Sequence, residues 1–267
     1  MKTKLIALLS VSALAVYVLT SFVPAPIAEK FKVIKVNGEI LVKASGKNLV
    51  TGDEYLETTP LDFRTQESRA AVISPSKGRY VLTAQAQTGK TNMIPGMNAV
   101  SSRAGALLNM IDLQNHFTGN YVILDQTKLK ISKESYPMSE KNFFFIRFEY
   151  NGETINKKLR AEGDSLVIER AAVFNIDGKA VAETEKLSCS LFYRKSETSE
   201  NIGINSFTAV FPELKNLHSE VQIVLDNCAN KKQSEKIDEV NSYIVEFYGK
   251  ADRDNLVSWM KKNFKLN

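Results

Sequence analysis

A chain of 267 residues with 43% hydrophobic and 24% charged residues, 13 Gly and 7 Pro is ordinary in composition. That excludes a disordered or collagen-like polymer and a small disulfide-stapled scaffold, and it leaves room for a full core in one or two domains. The formal charge of +5, two of it from Lys2 and Lys4, is too small to predict nucleic acid as a partner.

Lys2 and Lys4 precede an uncharged apolar run over residues 5–19, followed by Thr20, Ser21 and the turn-rich stretch 23–28. A short positive stretch, about 15 apolar residues and small residues at the end read as a secretory signal peptide. The alternative is an uncleaved anchor, since residues 5–23 are nearly long enough to span a bilayer. Residues 1–28 are therefore expected to export the chain, and membrane contact is expected only through this segment. The body is expected to be extracytoplasmic, periplasmic or at the cell surface. That compartment permits disulfides, and the chain has two cysteines. Cys189 alternates in phase with Leu187 and Leu191, which points it into a core. Cys228 follows the apolar run 221–225. The pair is expected to form one structural bridge or to stand as two buried thiols.

Strand signals dominate the mature chain to about residue 210. Residues 32–36 and 39–43 flank Asn37-Gly38, with Ile34, Val36, Ile40 and Val42 in one inward parity, so a hairpin is expected there. A second hairpin is expected at Asn151-Gly152, after a strand whose Phe144, Ile146, Phe148 and Tyr150 share a face. A third is expected at Asp177-Gly178. The polar, Pro-containing stretch 132–142 is the expected boundary between a β domain at 29–131 and a second β-rich domain at 141–226. Residues 227–233 read as a linker. Ser234 can then cap a helix with apolar positions Ile237, Val240, Ile244, Phe247 and Tyr248. Gly249 ends it, and Asp252 starts another with Leu256, Met260 and Phe264 at helical spacing. The expected fold class is mainly β with C-terminal helices at 234–267.

Chemical motifs are weak. Residues 84–91 have the spacing of a phosphate loop, but Ala84 stands at its first Gly, and Pro95-Gly96 forbids a helix running on from Lys90. A polar connector between strands is expected instead. His116 and His218 lack ligand partners at metal spacing, so no metal or cofactor is expected. The acids Asp53, Glu54, Glu57, Glu183 and Glu185 could supply paired carboxylates in space, which is the alternative reading of an envelope hydrolase.

One stretch carries a resemblance. Residues 33–40, then Leu49-Val50-Thr51-Gly52-Asp53, Leu61-Asp62-Phe63-Arg64-Thr65 and Ser68-Arg69-Ala70-Ala71-Val72-Ile73, resemble the FecR-type domain. The resemblance covers residues 31–83 and implies an all-β periplasmic module used in regulation or binding, with no catalytic residues to transfer. Only four residues precede the apolar run, so the cytoplasmic anti-sigma role of such proteins is not expected here. The residues themselves agree, because Ala70 and Val72 fall on one strand face. The expected function is thus a non-enzymatic, exported binding or scaffold module for an envelope protein or an anionic cell-surface polymer. Residues 29–140 hold 14 Lys and Arg against 11 Asp and Glu, the charge excess of the mature chain. Within it, Arg64, Arg69, Lys77 and Arg79 fall in one window with the single acid Glu67. They are expected to crowd one end and the outer face of a hairpin, as a docking patch or as a basic edge that prevents aggregation.

Overall fold

The computed structural model describes residues 28–85, 91–99 and 105–264, so the export segment and the centre of the phosphate-loop-like stretch lie outside the described residues. The chain is mainly β with helices at its C-terminal end. The N-terminal part is a sandwich. Strands β1 (Lys30–Asn37), β4 (Glu54–Leu56), β6 (Arg69–Ser74), β7 (Gly78–Ala84) and β8 (Thr91–Pro95) form a sheet in the order β4-β1-β6-β7-β8. Strands β2 (Ile40–Val42), β3 (Lys47–Asn48) and β5 (Leu61–Phe63) form the facing sheet, in the order β3-β2-β5. Phe31, Val33, Ile40, Leu61, Ala70, Val72 and Leu82 fill the space between them. Ala70 and Val72 do share a face, as their alternation demands.

Asn37-Gly38 does not close a hairpin. β1 pairs with β4 and β6, whereas β2 pairs with β3 and β5, so the dipeptide is the corner where the chain changes sheets. Gly38 has φ of 78° and lies against Ser68, whose Oγ a Cβ at this position would meet at 2.6 Å. The left-handed residue that favours a tight hairpin serves here for close approach. The shared parity of Ile34 and Val36 also fails. The β1–β6 register shifts between Val33 and Lys35, and this bulge sends Ile34 to the opposite face from Val36. At the other two dipeptides the expectation holds. Tyr150 pairs with Glu153 across Asn151-Gly152, and Ile176 with Lys179 across Asp177-Gly178. All four turn residues have positive φ, as a two-residue type I′ turn requires.

The second part packs a six-stranded sheet on a three-stranded one. Strands β9 (Asn120–Val122), β11 (Phe143–Tyr150), β12 (Glu153–Lys158), β17 (Lys186–Lys195), β18 (Glu200–Val210) and β19 (Lys250–Ala251) run in the order β12-β11-β17-β18-β9-β19. Strands β10 (Gln126–Lys130), β13 (Arg160–Glu162) and β14 (Ser165–Glu169) form the smaller sheet; β15 (Asn175–Ile176) and β16 (Lys179–Ala180) are a separate ribbon. Helix α1 (Met110–His116) packs on the same core, and α2 (Arg170–Val173) follows β14. Phe144, Ile146 and Phe148 enter this core with Cys189, Leu187 and Leu191. The boundary expected at 132–142 is corrected, because β9 pairs with β18 and β10 with β14 across it. Polar composition there marks a surface loop held down by buried Tyr136, not a linker.

Three helices close the chain: α3 (Leu214–Asn227), α4 (Gln233–Phe247) and α5 (Arg253–Asn263). The first falls, all but Asn227, inside the span 141–226 expected as a β-rich domain. Helix α4 starts at Gln233, one residue before the expected cap at Ser234, whereas Asp252 caps α5 by accepting from Asn255 N–H at 3.0 Å. The expected apolar stripes of α4 and α5 are buried. They pack with α3 on the outer face of the N-terminal sheet, on Ile34, Ala71, Ile73 and Val81, and on Val122 and Val210 of the second part. Helices and both sheets thus share one core.

Of the two alternatives open for the cysteines, the structure has two buried thiols and not a bridge. Cys189 and Cys228 are free, buried in two different cores, the first among the second part's strands and the second under the helices. Burial pushes the Cys189 thiol up to about 12, which keeps it protonated and unreactive.

Candidate functional site

The β1 bulge builds the most organised polar site among the described residues. Regular alternation would turn Lys35 into the sandwich core; the bulge places it beside Ile34 on the face that meets the helices. There its ammonium donates to Glu220 Oε1 of α3 at 3.1 Å and to the Tyr248 hydroxyl at 2.9 Å. Glu220 is 2% exposed, and its Oε2 accepts from Tyr243 at 2.7 Å and Tyr248 at 2.5 Å. Burial, then the Glu220 charge, raises both phenols well above their usual range, so they act only as hydrogen-bond donors and acceptors.

Beside this cluster lies a polar cleft of about 330 Å³, lined by Lys35, Asn37, Arg69, Asn120, Glu185 and Lys186. Asn37 pairs with Arg69 across β1 and β6, so their side chains stand together on the helix face. The Arg69 guanidinium lies 4.8 Å from the centre of the Phe247 ring. One wall depends on Gly249, at φ of 132°, whose Cβ would meet the Asn120 carbonyl oxygen at 2.4 Å. A second hollow of about 260 Å³ adjoins Lys35 and Tyr248 and includes Arg170 and Glu183.

The four cations singled out in the sequence are not one patch. Arg64 is exposed and pairs with Asp62 at 3.2 Å; Lys77 pairs with Glu57 at 2.6 Å at the turn end. Arg69 and Arg79 stand four positions apart along the β6–β7 ladder, roughly 13 Å. Both face the helices, not the outside. The Arg79 side chain is 2% exposed; it pairs with Glu246 and donates to the Met97 carbonyl at 2.7 Å. The basic outer face is corrected because α4 covers it. Four of the five expected acids are also engaged, Glu57 through Lys77. Asp53 accepts from Val50 N–H at 3.0 Å, Glu54 pairs with Lys30, which holds its carboxyl below the usual range, and Glu183 pairs with Arg170 at 2.5 Å. The sequence reading missed Lys35 and Glu220. Lys35 has no local signal, since its face depends on the bulge; Glu220 at the centre of an otherwise apolar helix stripe was the available cue.

A larger hollow of about 960 Å³ runs between α1, β10 and residues 250–258 and includes His116. The imidazole Nε2 pairs with the Tyr121 hydroxyl at 2.7 Å. Burial, then Lys250, lowers the His116 pKa to about 4. The fold therefore binds neutral histidine, while the unfolded chain protonates near 6.5. Stability is unaffected above about pH 6.5 and falls as pH drops from about 6.5 to about 4, by at most about 3 kcal/mol. Thermal melts of the wild type and His116→Gln at about pH 7 and about pH 4.5 check this. The variant should lose less on acidification, and equal acid losses would refute the assignment.

No protein-family model matches the chain, and no curated protein matches it.

Proposed function

We propose that this is an exported binding protein of the cell envelope, non-enzymatic, that holds an envelope protein or an anionic cell-surface polymer. The observation that carries the reading is the cleft at the junction of the two β parts and the helices, into which Arg69 and Lys186 bring positive charge. The apolar N-terminal run with its two lysines supports export, and the resemblance of 31–83 to FecR-type modules supports an envelope role. Among the described residues no helix is long and apolar enough to cross a membrane. In this reading the N-terminal sandwich is a FecR-like module, and Arg69 replaces the dispersed quartet as the cation that meets the partner.

Two measurements test it. The intact mass of protein extracted from the envelope should show loss of about the first 21 to 28 residues. Retention on native envelope material should fall between low and physiological salt, where the screening length shortens to about 8 Å. It should fall further for Arg69→Glu. Full-length chain in the soluble cytoplasm, or salt-independent retention, overturns the reading.

A further inference from the structure

We propose that the cleft beside the β1 bulge is the binding site for a phosphate-bearing group. The assignment names the chemistry of the partner and rests on the binding-protein reading above. It starts from donors that the fold positions and leaves unused. The Lys35 ammonium has three N–H bonds, and Glu220 and Tyr248 take two of them. Arg69 sits 4.8 Å over the Phe247 ring, and among the described residues no hydrogen bond or ion pair occupies its N–H groups. The Lys186 ammonium is likewise without a partner among the described residues, and Asn37 adds an amide beside Arg69.

The charge balance favours an anion. Glu220 neutralises Lys35, and Glu246 is committed to Arg79 and to the Met97 N–H at 3.3 Å. What remains is Arg69 and Lys186 against the exposed Glu185. A terminal phosphate group brings nearly two negative charges and at least three acceptor oxygens, which suits several donors lining one cleft better than the two oxygens of a carboxylate. A volume of about 330 Å³ takes a phosphate with a small substituent. A bulge that re-aims one lysine into such a cleft is a device that strands use beside functional sites.

The test is calorimetric titration of the purified chain with inorganic phosphate, glycerol phosphate and acetate at low salt. Both phosphates should bind saturably, with acetate at least about tenfold weaker. Tighter binding of glycerol phosphate than inorganic phosphate identifies a polymer or headgroup source; the reverse order identifies the free ion. Arg69→Gln and the exposed Lys186→Gln should each weaken phosphate about tenfold, equivalent to about 1.4 kcal/mol, and Glu185→Gln should strengthen it. Absence of saturable phosphate binding, acetate equal to phosphate, or unchanged binding in folded Arg69→Gln and Lys186→Gln overturns the assignment. Envelope retention without phosphate binding rejects this assignment alone; phosphate binding in a cytoplasmic, uncleaved chain rejects the export reading alone.

Discussion

Replacing Glu220 with Ala should cost about 3–5 kcal/mol, a fall in melting temperature of roughly 10 °C for a chain of this length. Glu220 is the shared acceptor of Lys35, Tyr243 and Tyr248, and it is 2% exposed. Its removal leaves two buried hydroxyls without their acceptor and a partly exposed ammonium without its counter-charge, so the penalty is the hydroxyls' desolvation more than the lost attraction. Tyr248→Phe removes one donor and leaves the carboxylate paired with Lys35 and Tyr243; its loss should be about 1.5–3 kcal/mol, the worth of a hydrogen bond to a charged group. Lys35→Met should fall between the two, because Lys35 is partly exposed and Glu220 keeps both tyrosines. Thermal and urea melts of the three variants check the order. A Glu220→Ala variant as stable as the wild type would show that the cluster contributes nothing to the joint between β1, α3 and α4.

The second large effect is expected at Arg79. Its side chain is 2% exposed and its partner Glu246 9%, so the pair bridges the N-terminal sheet and α4 away from solvent. Burial lowers the pKa of the guanidinium, yet an arginine stays charged at any physiological pH. Arg79→Ala leaves Glu246 with the Met97 N–H and should cost about 3 kcal/mol or more. Joint replacement by Arg79→Met and Glu246→Leu should recover most of that loss, since apolar side chains of similar volume avoid desolvating two charges. Gly96 lies against the guanidinium, where a Cβ would meet its carbon at 2.7 Å, so the space is shaped for this side chain. Urea midpoints for the single and double variants decide the matter. A double variant no better than Arg79→Ala would mean that the pair is worth more than its shape.

The chain's own residues determine what short-range chemistry controls. Asn151-Gly152 and Asp177-Gly178 turn where positive φ is needed, the apolar positions of α4 and α5 are buried as their spacing requires, and Cys189 faces inward with Leu187 and Leu191. Class and element type follow from such signals, because a turn or a stripe is decided within a few residues. Tertiary structure decided the rest. The same Asn-Gly pair that closes a hairpin at 151 turns a sheet corner at 37, since pairing partners lie far along the chain. One bulge moved Lys35 to the helix face, and α4, far along the chain from Arg79, turned an expected surface cation into a buried one. The two cysteines reached different cores for the same reason. Alternation along a strand separates its two faces, but only the elements packed on each face determine which is core, which is cleft and which is surface.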